Sequence, residues 1–297
     1  MRATESLGRI LSSGRQSFSF ELFPPKTDEG EQQLWRTVRE IEVLKPTFVS
    51  VTYGAGGSSQ DRTVRLTREI AEQTSVTPVA HLTCVGASRD ELRDVIEQYR
   101  EGGVTTILAL RGDPPTGLNT EWQPHPGGLT HAIELIELIR SMGDFSIGVA
   151  AFPEGHPESP SLEHDARVLA MKQDAGAEFA ITQLFFRVED YERMRDLAVA
   201  AGCTMPIVPG IMPVTNVAQI ERFAALSNAA FPEALAQRFH SVAEDPDAVI
   251  DLGVEVAAEM SQRLLDAGAP GLQFFTLNRS LSTIRVYEAL GLGASTA

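Results

Sequence analysis

Apolar and polar positions alternate in short runs along this chain, and longer stretches with helical spacing separate the runs. In "SFSFELFPPK" (Ser17 to Lys26), Phe18, Phe20 and Leu22 share one parity and Glu21 takes the other. Comparable runs, bounded by Gly, Pro and polar residues, predict eight strands at 18–23, 48–54, 78–84, 105–112, 146–152, 179–186, 207–213 and 271–278. The intervening stretches 28–45, 60–75, 88–102, 129–142, 160–175, 189–201 and 215–226 read as helices. Ser88 and Glu91 have the spacing of a capping box. Extra helical material at 231–242 and 246–267 precedes the eighth strand, and a helix at 279–290 follows it.

Strict alternation of strand and helix implies a parallel sheet with right-handed crossovers. Eight repeats close into a (β/α)8 (TIM) barrel, whose active site lies at the C-terminal ends of the strands. No composition break or linker interrupts the chain, so the expectation is one barrel domain over 1–297. Residues 1–16 form a lead-in, either frayed or a short helix.

The barrel gives Glu21 a place. An ionised carboxylate is costly to bury uncompensated. In a barrel strand one parity faces the helices and the other faces the interior. Glu21 therefore points inward, opposite in parity to Phe18, Phe20 and Leu22. Ser50 and Thr52 alternate with Val49 and Val51, His81 with Ala80 and Leu82, and Arg111 with Leu108 and Leu110; Gln183 and Gln273 are placed likewise. Polar groups from at least five strands then converge on one mouth, an active-site pattern rather than a packing one.

Glu21 reads either as a general acid raised in pKa by apolar surroundings or as the structural partner of Arg111. Asp113, in "ALRGDPP", is a second carboxylate near the mouth or part of a turn with Gly112 and Pro114. Two such carboxylates also suit a glycosidase, although Trp35 and Trp122 are the only tryptophans and make a poor sugar platform. "GAGGSS" (Gly54 to Ser59) misses the dinucleotide-binding glycine pattern by its last residue and reads as a βα loop. His81 is alternatively a core histidine. "HPESPSLEHD" fits no metal spacing, and no lysine lies in a strand to form a Schiff base.

Composition narrows the function further. A net charge of −15 argues against a nucleic-acid partner. No run of about 18 apolar residues is present to span a membrane, and the N-terminus has no secretory pattern. Cys84 and Cys203, without metal-type spacing, suggest a reducing, cytoplasmic setting. Nothing in the chain fixes its oligomeric state.

FELFPPK, VTYGAGG, HLTC, ALRGDPP, AAFPEGHPE, ITQLFF, PGIMPV and FFTLNR occur in this order. Together they resemble the bacterial methylenetetrahydrofolate reductases, from about Ser17 to Gly291. The resemblance implies reduction of 5,10-methylenetetrahydrofolate to 5-methyltetrahydrofolate by NADH or NADPH, usually through FAD at the barrel mouth. It makes Glu21 the general acid and Asp113 an aspartate near flavin and pterin. It also makes Gln183 a contact to folate and nicotinamide, Gln219 and Arg279 folate contacts, and Phe223 an aromatic stacked on ligand. Thr52 matches a nicotinamide-nucleotide contact. Tyr53, Ala55, His81, Arg111, Gly112, His156, Asp165 and Lys172 match flavin contacts. No arginine cluster awaits a 2′-phosphate, which favours NADH. A non-catalytic folate- or flavin-binding barrel and a barrel hydrolase are the minor alternatives.

The departures from the family pattern gather on the flavin. Val168 and Met171 replace the usual asparagine and arginine that touch its phosphates, beside Asp165 and Lys172 on the same helix. Phe152 replaces a usual tyrosine, and "HPGGL" (His125 to Leu129) replaces a "YASDL"-like segment. A lost charge-assisted phosphate contact costs roughly 1.5–3 kcal/mol, or about one to two decades of affinity. Either other groups hold FAD as usual, or FAD is weak or absent; the reading leans to the second, with direct hydride transfer from NADH to folate as the alternative route.

Overall fold

The computed structural model describes residues 5–53, 58–113, 122–227 and 229–292. Its strands are β1 (Ser17–Leu22), β2 (Phe48–Val51), β3 (Pro78–Thr83), β4 (Thr106–Leu110), β5 (Ser146–Ala151), β6 (Phe179–Thr182), β7 (Ile207–Val208), β8 (Gly210–Ile211) and β9 (Gly271–Phe275). All pair in parallel, in the order β7-β6-β5-β4-β3-β2-β1-β9-β8. The predicted seventh strand is thus two short ones. Pro209 has no N–H to give to a ladder, so the strand breaks there. β7 completes its pairing with β6, and β8 pairs with β9 on the other side. The circuit closes through the chain itself, giving a (β/α)8 barrel.

Helices cover the outside: α2 (Asp28–Glu42), α3 (Ser58–Gln73), α4 (Arg89–Glu101), α5 (Ala132–Met142), α6 (Leu162–Asp174), α7 (Val188–Ala200), α8 (Val217–Leu226) and α11 (Leu281–Ala289). The predicted extra helices are α9 (Glu233–His240) and α10 (Pro246–Asp266). Ser88 and Glu91 form the anticipated capping box at α4, with Ser88 N–H donating to Glu91 Oε2 at 2.7 Å. The strand residues of outward parity, including Phe20, Leu22, Val49, Val51, Ile107, Ala109, Leu272 and Phe274, are buried against this helical layer.

The lead-in is folded rather than frayed over α1 (Leu7–Leu11). Leu7 and Leu11 pack with Phe48, Val79, Leu108, Phe179 and Val208, the inward residues at the strands' lower halves. α1 therefore seals the barrel floor. Inward positions change from apolar at this floor to polar above it, at Glu21, Ser50, His81 and Gln273. That gradient points the chemistry at the opposite mouth. Among the described residues no helix is long and apolar enough to cross a membrane.

Candidate active site

Glu21 sits at the upper end of β1, 8% exposed, paired in register with Ser50 of β2 and Phe275 of β9. Thr52, just beyond β2, donates its hydroxyl to Glu21 Oε1 at 3.1 Å. Ser50 donates to Oε2 at 3.5 Å, and Gln273 Nε2 donates to the same oxygen at 3.4 Å. His81 Nε2 lies 3.8 Å from Oε2, is buried and has no hydrogen-bond partner. Among the described residues, the side chains that touch the carboxyl are all neutral. Burial pushes Glu21 from an ordinary value of 4.5 up to about 7, outweighing the hydrogen bonds that favour its ionised form. Burial also pushes His81 down to about 3, so it stands beside Glu21 as an uncharged imidazole. The barrel interior thus holds an acid able to exchange a proton near neutral pH.

Arg111 does not join this cluster. The inward positions of β4 are Leu108 and Leu110, which belong with the floor residues, so Arg111 has the outward parity of Ile107 and Ala109, the reverse of the expectation. β4 ends at Leu110, and Gly112 turns the chain at φ +85°, where a Cβ would stand 2.6 Å from Val85 Cγ1. Arg111 instead grips Glu158 through two hydrogen bonds, of 2.5 and 3.0 Å, and lies over the Trp122 ring. The Arg111 guanidinium holds Glu158 below the usual carboxylate range. The structural pairing of Glu21 with Arg111 is therefore replaced by a different ion pair.

The segment after β5 is organised by its own polar groups. His156 donates its backbone N–H to Asp165 at 2.8 Å, and its ring meets Phe152 edge-on at 4.9 Å. Burial draws the His156 pKa down. Lys172 Nζ donates to the Ala150 carbonyl at 3.2 Å, and burial lowers its pKa to about 8. Val168 is half-buried on the same helix, whereas Met171 is 54% exposed. The His125–Leu129 loop is tied to the start of α4, where Arg89 N–H donates to the Gly127 carbonyl at 3.0 Å, and Leu129 is buried beneath it.

The remaining expected residues lie around the same end of the barrel without a shared contact. Asp113 is exposed three residues past β4. Gln183, just past β6, accepts from the Leu184 N–H. Gln219 and Phe223 lie on α8, Gln219 exposed and Phe223 partly buried on the satellite core that includes Leu184, Val214 and Phe239. Arg279 is exposed beyond β9. Tyr53 is buried in the outer core, and burial raises its hydroxyl to about 12. Ala55 lies outside the described residues. Sequence reasoning missed Glu158, Trp122 and Ser19. For Glu158 the available signal was its position two residues after His156, whose Nδ1 accepts the Glu158 N–H.

A parallel barrel with a buried carboxyl of raised pKa near its mouth is the arrangement of a (β/α)8 protein with a candidate active site at the strand ends. Residues 6–291 match the family model described as methylenetetrahydrofolate reductase. The 5,10-methylenetetrahydrofolate reductase of Pectobacterium carotovorum subsp. carotovorum is 41% identical over 292 residues, covering 97% of this chain and 95% of that protein. The enzyme of the same name from Escherichia coli (strain K12) is 41% identical over 288 residues, covering 97% and 94%. The chain belongs to the methylenetetrahydrofolate reductase family. Among solved structures, a Clostridium thermocellum protein that binds two copies of 5-methyl-5,6,7,8-tetrahydrofolic acid shares the fold, with a TM-score of 0.62 and 16% identity over 96% of each chain.

Proposed function

We propose that this protein reduces 5,10-methylenetetrahydrofolate to 5-methyltetrahydrofolate with a reduced nicotinamide, with NADH favoured, and that Glu21 is its general acid. The observation that carries this reading is Glu21 itself: a carboxyl ringed by neutral donors and raised to about 7. A methylene bridge between two nitrogens accepts hydride poorly. Transfer of the Glu21 proton to N10 lets the carbon–N10 bond break with its electron pair staying on N10. The N5 lone pair then forms the 5-iminium cation, and Glu21 is left as carboxylate. Hydride from the nicotinamide reduces that carbon to a methyl group. Asp113, a carboxylate near the same mouth, stabilises the developing positive charge. Gln183, Gln219, Phe223 and Arg279 are the proposed folate contacts, and Thr52 and Gln183 the nicotinamide contacts. Two buried free cysteines suit a reducing, cytoplasmic setting.

The family typically uses a flavin as well as a nicotinamide. The described residues fit a flavin diphosphate poorly. Arg111 is already held by Glu158, Lys172 is drawn onto the Ala150 carbonyl, and Met171, next to Lys172 on α6, is exposed and apolar. These observations support the second part of the reading: hydride passes directly from NADH to the iminium carbon. His81, Gly112, Phe152, His156 and Asp165 are then proposed for a nicotinamide-nucleotide site rather than a flavin site. The test is the visible spectrum of the purified protein, followed by folate-dependent NADH oxidation with and without added FAD. A colourless protein active without FAD supports direct transfer. Flavin bands that bleach with NADH and recover with folate refute it, and absence of folate-dependent NADH oxidation refutes the whole reading.

A further inference from the structure

Below Glu21 a chain of hydrogen bonds crosses the barrel interior. Ser19 Oγ lies 2.5 Å from Gln273 Oε1, Gln273 Nε2 lies 2.7 Å from Ser50 Oγ, and Ser50 Oγ lies 3.5 Å from Glu21 Oε2. All four side chains are buried, and Gln273 is wholly so. These bonds orient the Gln273 amide. The Gln273 carbonyl accepts from the Ser19 hydroxyl and its NH2 donates to Ser50, so the carbonyl faces Ser19 and the NH2 faces upward. Ser50 then accepts from Gln273 and has its own proton left for Oε2. The second Gln273 N–H faces Oε2 at 3.4 Å. Oε2 is therefore surrounded by donors.

Oε1 stands differently. Its contact is the hydroxyl of Thr52, which lies above Ser50 toward the mouth and can accept as readily as it donates. Gln273 pairs with Ser19, two residues below Glu21, so it reaches the carboxyl from beneath. We infer that Gln273, acting through Ser50, is a positioning residue that makes Oε2 the carbonyl oxygen of protonated Glu21 and thereby places the transferable proton on Oε1, facing the mouth. This rests on the general-acid reading of Glu21. The only ionisable side chain beside the carboxyl among the described residues is His81, which burial holds neutral, so the effect is read against an uncharged background.

The test is the pH profile of folate reduction in Ser50→Ala, Gln273→Leu and the double variant, with Glu21→Gln as control. Donors to Oε2 favour the carboxylate, so their loss moves the alkaline limb of kcat to higher pH, by roughly half to one pH unit. The kcat plateau falls about threefold to tenfold with KM little changed, because the proton is now shared between two oxygens. The double variant shifts at least as far as Gln273→Leu alone, since Ser50 and Gln273 each donate to Oε2. Ser50→Ala removes one hydroxyl and keeps the test open if Gln273→Leu fails to fold. A limb that moves to lower pH overturns the inference, because it means that Gln273 accepts the Glu21 proton. An unmoved limb overturns it too. Full folate reduction by Glu21→Gln is a separate result, which removes the general-acid reading itself.

Discussion

The two sides of the barrel mouth handle charge in opposite ways. On the β1–β3 and β9 side, Glu21 is held among Ser50, Thr52, His81 and Gln273, all neutral, and burial keeps its proton on to about 7. On the β4–β6 side the ionisable groups already have partners: Arg111 binds Glu158, Asp165 accepts the His156 backbone N–H, and Lys172 donates to the Ala150 carbonyl. A buried acid without a cation is an active acid; a cation already paired has less to offer an incoming phosphate. The resemblance to the family rests on motif residues of the first side, Glu21 and His81 among them. The second holds Val168, Met171 and Phe152, the positions read from the sequence as departures. On the proposed reading, proton chemistry belongs to the neutral side, and the other side offers little to a flavin phosphate.

The largest effect expected from breaking this contrast is on the neutral side. Glu21→Gln keeps the shape of the ring but removes the proton, and folate-dependent NADH oxidation should fall by about two to four decades. NADH binding, followed by fluorescence quenching, should stay within a few-fold of the parent. On the charged side, Val168→Asn with Met171→Arg should raise FAD affinity by roughly one to two decades per restored contact, read by equilibrium dialysis. Unchanged FAD affinity would show that α6 is not where the flavin is lost.

The smallest of the three effects is thermodynamic. The Glu21 pKa is raised from 4.5 to about 7 in the fold, so the unfolded chain releases this proton first as pH rises. Stability is therefore full below about pH 4.5 and declines as pH rises toward about 7, by up to about 3 kcal/mol. Glu21→Gln carries no such penalty. Its melting temperature should exceed the parent's at about pH 8 and converge with it at about pH 4. A gap of the same size at both pH values would mean that the substitution acts through packing alone.

The alternation in "SFSFELF" made the inward Glu21 legible, because parity needs only the sequence and a barrel. The inward assignment failed at Arg111, which has the outward parity of Ile107 and Ala109 and lies where β4 has already ended and Gly112 turns the chain away. The Arg111–Glu158 pair joins positions 47 residues apart in two loops, and no local pattern announces such a contact. The Ser19–Gln273–Ser50 chain depends on the register between β1 and β9, set only when the barrel closes. Leu7 and Leu11 have helical spacing, yet their role as the floor seal appears only against Phe48, Val79 and Phe179. The split of the seventh strand was readable in principle from Pro209.

The central claim is that Glu21 holds its proton near neutral pH. Infrared difference spectroscopy of the ligand-free protein between about pH 5 and about pH 9, with Glu21→Gln as reference, measures this directly. The account predicts a carbonyl band of a buried carboxylic acid that disappears with a midpoint near 7 and is missing from the Glu21→Gln protein. A Glu21 already ionised at the acid end of that range would contradict it.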